Sequence, residues 1–206
     1  MQNISRLVVT LLMITIMGTT EKIFGAETAS PCNLSDSLTS PPQPLSVGKR
    51  VRLQPFQNTD SAREAMALIF TNQDQIKYLG GKIKSVEELS VRAENLASLA
   101  AQENPFSMHW GILLGEKTIG RLSILNYNYH SGPVSELEYY LSPKFAGQGF
   151  TTEAVQLILE VLKRPLKATV HPKHVASIAI LSRLGFKKST SAFYGPAQWD
   201  TYLYTP

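Results

Sequence analysis

Apolar and polar positions follow regular periods from about residue 49 onward, and these periods predict a domain that mixes strands and helices. A period of two predicts a strand, and a period of 3.6 predicts an amphipathic helix. The strand-like segments are, in chain order, 51–56, 106–114, 118–127, 136–141, 167–170, 187–193 and 200–204. Three helix-like segments carry apolar faces at Ala65, Leu68 and Ile69, at Leu89, Leu96 and Leu99, and at Ala154, Leu157, Ile158, Val161 and Leu162.

Short local signals predict where these elements begin and end. Asp60 begins the first helix, and the residues Ser85–Glu88 form a capping box that opens the second. Asn104-Pro105 ends that second helix. The sequence Gly115-Glu116-Lys117 predicts a hairpin turn between two strands, and Asn128–Gly132 predicts a loop after them.

The N-terminal region has a different composition from the predicted domain. One positive charge in residues 1–6 precedes the apolar run Leu7–Met17, which is the layout of a secretory signal peptide. We therefore expect residues 1–26 to be a signal peptide, with an uncleaved anchor or a misassigned start codon as the alternatives. Residues 27–47 are rich in Ser, Thr and Pro and predict a linker, which leaves 48–206 as the folded domain. The protein is then exported, to the periplasm or beyond, if the segment is cleaved, and membrane-anchored or cytoplasmic otherwise.

Composition narrows the classes of partner. The chain has 206 residues and a formal net charge of +4, without a run of Lys or Arg, so binding to nucleic acid is not indicated. Cys32 is the only cysteine, so an exported chain would fold without an intramolecular disulfide. A membrane contact is expected only through an uncleaved N-terminal segment. The sequence does not predict an oligomeric state.

A glycine-rich turn between a strand and a helix is the strongest chemical signal. Gly147 and Gly149 flank one residue just before the helical pattern that starts near Ala154. Such a turn directs several backbone N–H groups to one place, and the helix N-terminus adds partial positive charge. The chain lacks the Gly-Lys-Ser/Thr of a P-loop and the third glycine of a dinucleotide fingerprint. The turn therefore predicts a phosphate site of another type.

A second pattern follows one helix later, at His171-Pro172-Lys173-His174 and Leu184-Gly185-Phe186. Together the two patterns resemble the GNAT superfamily of acyl-CoA N-acyltransferases, and most closely its branch of ribosomal-protein N-terminal acetyltransferases, the RimJ/RimL-like proteins. That family has Arg/Gln-x-x-Gly-x-Gly/Ala at its pyrophosphate turn, where this chain has Lys144, Gly147 and Gly149. It also has Asn-Pro-x-Asn-x-x-Ser, where this chain has His171, His174 and Ser177.

The resemblance extends from about Lys49 to Tyr204 and implies an α/β (α+β) fold, in which a mixed, mostly antiparallel and splayed sheet is flanked by helices. The predicted order β-α-α-β-β-β-α-β-α-β-β agrees with it, and its fourth helix is the one that ends at Leu184-Gly185-Phe186. It also implies acetyl-CoA as the co-substrate. The residues that would bind it, through backbone groups of the strand and turn and through two side chains, are Tyr139, Tyr140, Leu141, Lys144, Ala146, Gly147, Gln148, Gly149, Phe150, Thr151 and His174.

Catalysis requires a base for the amine and, in some relatives, an acid for the thiolate. Glu136 and Glu138 alternate on one strand and share a face, so either is a candidate base. Many relatives use a Tyr as the acid, but Leu181 stands at that position here. Some RimJ/RimL-like members use a Ser instead, and Ser177 matches it.

Three departures from the family leave an alternative function open. Glu138 stands where relatives often have Gly, His174 replaces an Asn, and Leu181 replaces the Tyr. The alternative is a catalytically impaired module that keeps the fold and CoA binding. Two histidines at i and i+3, without a third ligand nearby, do not predict a metal site. For an active enzyme, the resemblance implies that the acceptor is an amine of a protein N-terminus, a lysine or a small molecule, and the sequence does not choose among them. Residues 71–81 and 126–134 are expected to form its groove.

Overall fold

The computed structural model describes residues 44–45, 50–79, 82–102, 107–129, 132–194 and 197–206. The predicted signal peptide or anchor and nearly all of the predicted linker lie outside the described residues. Within them, no helix has the length and apolar character needed to cross a membrane.

Seven strands of the described chain form a single sheet in the order β1-β2-β3-β4-β5-β7-β6. They are β1 Val51–Pro55, β2 Ser107–Leu114, β3 Lys117–Tyr129, β4 Gly132–Leu141, β5 Leu166–Val170, β6 Lys187–Tyr194 and β7 Ala197–Tyr204. Neighbouring strands are antiparallel, except β4 and β5, which are parallel. The predicted mixed, mostly antiparallel sheet is therefore confirmed.

The strands β4 and β5 diverge, and this divergence positions the candidate site. Their register contains one pair, Glu136 opposite Lys167. After Glu136, β4 continues to Leu141. Over this part, no described residue of β5 pairs with it. A gap of this kind in a parallel pair leaves backbone N–H and C=O groups of β4 available to a ligand.

Helices cover both faces of the sheet. They are α1 Asp60–Phe70, α2 Gln73–Ile76, α3 Val86–Ala100, α4 Phe150–Leu162 and α5 Val175–Arg183. The helices α1 and α3 bury their apolar faces with Tyr140 of β4. On the opposite face, α4 packs Leu157 and Ile158 in a larger core with Leu122 of β3 and Leu137 of β4. Successive residues of β4 thus face different helical layers.

Capping explains two of these helices. Thr59 precedes α1, and its hydroxyl accepts a hydrogen bond from the backbone N of Ala62 at 3.2 Å. The predicted capping box of α3 is present: Ser85 Oγ accepts from Glu88 N at 3.2 Å, and Glu88 Oε2 accepts from Ser85 N at 2.7 Å. Each cap satisfies backbone donors that the helix itself leaves without partners.

Several predicted details were wrong. Leu68 is only half-buried, because the buried face of α1 is centred on Ala65, Met66 and Ile69. Val161 is 55% exposed, and the buried face of α4 ends at Leu159. The short helix α2 was not predicted, since four residues are too few to show a helical period.

The prediction of a loop at Asn128–Gly132 was also wrong. The strand β3 continues to Tyr129, and β4 begins at Gly132, with Asn126 opposite Ser135 and Tyr127 opposite Val134. The Ser135 hydroxyl donates a hydrogen bond to Asn126 Oδ1 at 2.9 Å. Cross-strand pairing of this kind outweighs the weak strand propensity of Asn. Most of the segment 126–134, which we expected to be an acceptor loop, is therefore a hairpin.

Leu45 extends the folded domain into the predicted linker. It pairs antiparallel with Leu53 of β1 through two hydrogen bonds of 2.7 Å, and its side chain packs against the larger core. We expect a chain that begins at Pro44 to unfold at the same temperature as the full chain. A chain that begins at residue 48 should lose about 1–2 kcal/mol of unfolding free energy, because Leu45 is half-buried and full burial of a leucine contributes about 1.5–3 kcal/mol. Thermal and urea denaturation measure both, and equal stability of the two truncated chains would contradict this role of Leu45.

Candidate active site

The predicted phosphate turn lies between β4 and α4. A short 3-10 turn, Pro143–Phe145, leads into Gly147 at φ 76° and Gly149 at φ 85°. Both angles fall in the left-handed region that favours glycine. A Cβ atom added at Gly147 would meet nothing within 4 Å, so the space next to the turn is open. Gly149 is the N-cap of α4 and supplies no side-chain cap, which leaves the first-turn N–H groups available to an anion.

Lys144, the predicted phosphate cation, is bound to α1 in this structure. Its Nζ lies 2.6 Å from Glu64 Oε1, and Lys117 Nζ lies 3.5 Å from Glu64 Oε2. The hydrogen bond from Lys144, with the charge of Lys117, lowers the pKa of Glu64. The role of Lys144 in phosphate binding stays a prediction, and it requires Lys144 to leave Glu64.

Glu136 and Glu138 lie on the same face of β4, as predicted, but their surroundings differ. Glu136 Oε1 accepts a hydrogen bond from the Thr169 hydroxyl at 2.6 Å, and Lys167 Nζ lies 3.4 Å from its Oε2. Glu138 lies two residues further on, where β4 has left β5. Its side chain is 33% exposed, and its nearest described cation is Arg121, at 3.4 Å. Glu138 is therefore the more accessible carboxylate at the gap.

A row of buried polar side chains extends inward from Glu138 across β3 and β2. Ser123 is opposite Glu138 in β3, and His109 is opposite Ser123 in β2. Arg121 donates to Ser123 Oγ at 2.8 Å, and Ser123 Oγ lies 2.7 Å from His109 Nδ1. Burial, reinforced by the charges of Arg121 and Arg92, lowers the pKa of His109 to about 3, so this imidazole is neutral at physiological pH.

Ser177, the candidate acid, lies on the opposite face of β4 from the two glutamates. It is buried, and its Oγ lies 2.7 Å from the hydroxyl of Tyr139. Burial raises the pKa of Tyr139 to about 12, although the hydrogen bond with Ser177 acts in the opposite direction. The Tyr139 hydroxyl therefore keeps its proton. Sequence reasoning assigned Tyr139 only a backbone role, but the alternation of β4 could have indicated that its side chain lies opposite to Glu138.

His174 lies at the N-cap of α5 and meets a residue that the sequence did not single out. Tyr78 stacks on its ring at 5.1 Å between centroids, with 20° between the planes. The ring of His171 lies 5.3 Å from Tyr78 and 5.7 Å from Trp199. Burial, with a smaller contribution from His171, lowers the pKa of His174. Its imidazole is thus predominantly neutral near pH 7 and offers one donor and one acceptor.

We expected the segment 71–81 to border the acceptor groove. The contact of Tyr78 with His174 places the described part of this segment near the end of β5. Trp199 comes to the same place from β7. Nothing in the local sequence around Tyr78 marks this position, because the contact joins residues almost a hundred positions apart.

Among the described residues, no cluster of three or more His, Cys, Asp or Glu is arranged to hold a metal ion.

Comparison with known proteins assigns the chain to a protein family. The sequence model of the acetyltransferase (GNAT) domain matches residues 50–187, more than half of the chain. The probable N-acetyltransferase YjcK of Bacillus subtilis (strain 168) is 26% identical over 151 residues, which cover 68% of this chain and 82% of that protein.

Several solved acetyltransferase structures share the fold of this chain. The acetyltransferase from Salmonella typhimurium that modifies the N-terminal serine of ribosomal protein L7/L12 has a TM-score of 0.64 at 17% identity, over 80% of this chain and 99% of that chain. A complex of RimL with coenzyme A has a TM-score of 0.63 at 16% identity, over 79% and 98%. The microcin C7 self-immunity acetyltransferase MccE, with acetyl-CoA and AMP, has a TM-score of 0.63 at 14% identity, over 78% and 94%. The chain belongs to the GNAT family and is an acyl-CoA-dependent N-acyltransferase with a RimL-like fold.

Proposed function

We propose that the protein transfers an acetyl group from acetyl-CoA to a primary amine. One observation supports this most directly: two left-handed glycines open the N-terminus of α4 next to the edge of β4 that has left β5. The turn then binds the pyrophosphate through the backbone N–H groups of residues 147–151, because those of Phe145 and Ala146, which we also expected to bind it, already donate to the backbone oxygens of Ser142 and Pro143 at 2.9 and 3.2 Å. The open edge at Tyr139–Leu141 pairs with the amides of the pantetheine arm, and His174 donates to that arm.

The thioester then lies in the gap between β4 and β5, with Glu138 on one face of β4 and Ser177 on the other. The amine attacks this carbonyl, the new C–N bond forms, and the C–S bond breaks. Glu138 takes the proton from the amine, directly or through a water molecule. The departing thiolate takes a proton from the Ser177 hydroxyl, which Tyr139 orients through their hydrogen bond. When the products leave, Glu138 releases its proton to solvent and Ser177 takes one back. Both candidate groups thus approach the reacting atoms from opposite faces of β4.

Turnover with a panel of amines tests this proposal. The panel contains peptides with a free N-terminus, peptides with a blocked N-terminus and one lysine, polyamines and amino sugars, and release of free CoA thiol reports transfer. We expect acetylation of at least one class, and mass spectrometry of the product locates the acetyl group. Binding of acetyl-CoA without turnover on any class would contradict the proposal and favour the binding-module alternative.

Replacement of Ser177 by Ala should lower kcat about 10- to 100-fold, because the thiolate loses its nearest proton donor. The affinity for acetyl-CoA should change less than twofold, since the hydroxyl acts on the transition state. Tyr139→Phe should give a smaller loss, because it removes only the hydrogen bond that orients the Ser177 hydroxyl. Steady-state kinetics and calorimetry of both variants measure this, and a kcat unchanged in Ser177→Ala would exclude Ser177 as the acid.

A further inference from the structure

The residue that secures the glycine turn is Arg50, at the start of the domain and almost a hundred residues before the turn. Its guanidinium donates from Nη2 to the backbone oxygen of Gln148 at 2.7 Å, and Gln148 lies between the two left-handed glycines. The same Nη2 lies 3.4 Å from the position of a Cβ atom on Gly149. The guanidinium also lies over the ring of Phe150, 4.7 Å from its centroid.

Glu153 fixes Arg50 in this position. Arg50 Nε lies 2.7 Å from Glu153 Oε1, Nη2 contacts the same oxygen, and the backbone N of Arg50 donates to Glu153 Oε2 at 3.0 Å. Burial raises the pKa of Glu153, but the hydrogen bonds from Arg50 outweigh it and leave this pKa below its ordinary value. The carboxylate is therefore charged at neutral pH.

A charged glutamate in the first turn of α4 has an electrostatic cost for the proposed phosphate site. It stabilises the helix N-terminus, but it also repels an anion bound to the same N–H groups. Arg50 compensates this charge, whereas Lys144, the cation that sequence reasoning assigned to phosphate, is bound to Glu64. The turn needs its exact backbone shape as well, because its N–H groups converge only when both glycines are left-handed.

We infer that Arg50 is a positioning residue for acyl-CoA binding, which holds the turn through Gln148 and neutralises Glu153. This inference rests on the proposed acetyl-CoA site. The planar guanidinium makes the contacts to Gln148 and Glu153 together, which a lysine cannot reproduce with a single ammonium group. Arg50 acts through the backbone of the turn and has no role in the chemical step.

The chain offers a matched control two residues along. Arg52 also forms an ion pair, with Glu116, with both Nη2–oxygen distances at 2.9 Å, and Glu116 belongs to the hairpin turn between β2 and β3. Arg50→Met should weaken acetyl-CoA binding about tenfold or more in calorimetry, which corresponds to about 1.4 kcal/mol. Arg52→Met, with the same loss of charge, should change the affinity less than twofold. Arg50→Lys should remain at least fivefold weaker than the unchanged protein.

Kinetics separate positioning from general destabilisation. In Arg50→Met, KM for acetyl-CoA should rise about tenfold while kcat at saturation stays within twofold, and turnover of S-acetylpantetheine, which lacks the pyrophosphate, should not change. All assays are run well below the melting temperature of each variant. Full affinity in Arg50→Met or Arg50→Lys, or an equal loss with both acyl donors, would overturn the inference. Absence of acetyl-CoA binding by the unchanged protein would instead contradict the proposed function.

Discussion

Replacement of Gly147 by glutamate is expected to abolish acetyl-CoA binding, with a loss of affinity of about 100-fold or more. Two effects combine. Gly147 has a φ of 76°, so any side chain strains the turn. The open space next to Gly147 is also where the phosphate would lie, and a carboxylate there repels it at short range. Calorimetric titration with acetyl-CoA measures the loss.

Gly115 provides the matched control for this substitution. It has a φ of 59° in the hairpin turn between β2 and β3, and a Cβ atom there also meets nothing within 4 Å. Gly115→Glu therefore introduces comparable backbone strain and the same charge away from the glycine turn. We expect it to lower the melting temperature about as much as Gly147→Glu and to leave the affinity for acetyl-CoA within twofold. Equal loss of binding in both variants would show that general destabilisation, and not the phosphate site, is responsible.

Replacement of Glu138 by glutamine should lower kcat about 100- to 1,000-fold with acetyl-CoA affinity unchanged, because general-base assistance has this magnitude. Glutamine preserves the shape and the contact with Arg121 but cannot take a proton. Steady-state rates at saturating substrates, with calorimetry of acetyl-CoA binding, test this.

Glu136→Gln distinguishes between the two carboxylates. Glu136 is engaged by Thr169 and Lys167 at the last paired position of β4 and β5, so its substitution should lower kcat less than tenfold. If Glu136→Gln has the larger effect, Glu136 is the base and Glu138 only positions the acceptor. If neither substitution changes kcat, catalysis rests on the positioning of the two substrates alone.

The sequence predicted the turn well because its signal is local. Two glycines one residue apart, followed by a helical period, require no knowledge of distant contacts, and both have the left-handed backbone that such a turn needs. The capping box at Ser85 was predictable for the same reason. Each of these features depends on residues within one turn of a helix or strand end.

The parts that sequence reasoning missed depend on contacts between distant segments. Arg50 contacts Glu153 across 103 positions, and Tyr139 meets Ser177 across 38. Lys144 was assigned to phosphate from its motif position alone, whereas α1 supplies Glu64 as its partner. Such pairings follow from the order of strands in the sheet, which the hydrophobic pattern does not determine. A charged residue just before the first strand gives no sign that it supports a turn almost a hundred residues later in the chain.

The most direct test of the account is calorimetric titration of the unchanged protein with acetyl-CoA, followed by a titration in the presence of an acceptor amine. The account predicts one site per chain, loss of binding in Gly147→Glu, retained binding in Gly115→Glu, and release of CoA thiol once the acceptor is added. Absence of binding at millimolar acetyl-CoA would contradict the central claim that the glycine turn and the gap between β4 and β5 form an acyl-CoA site.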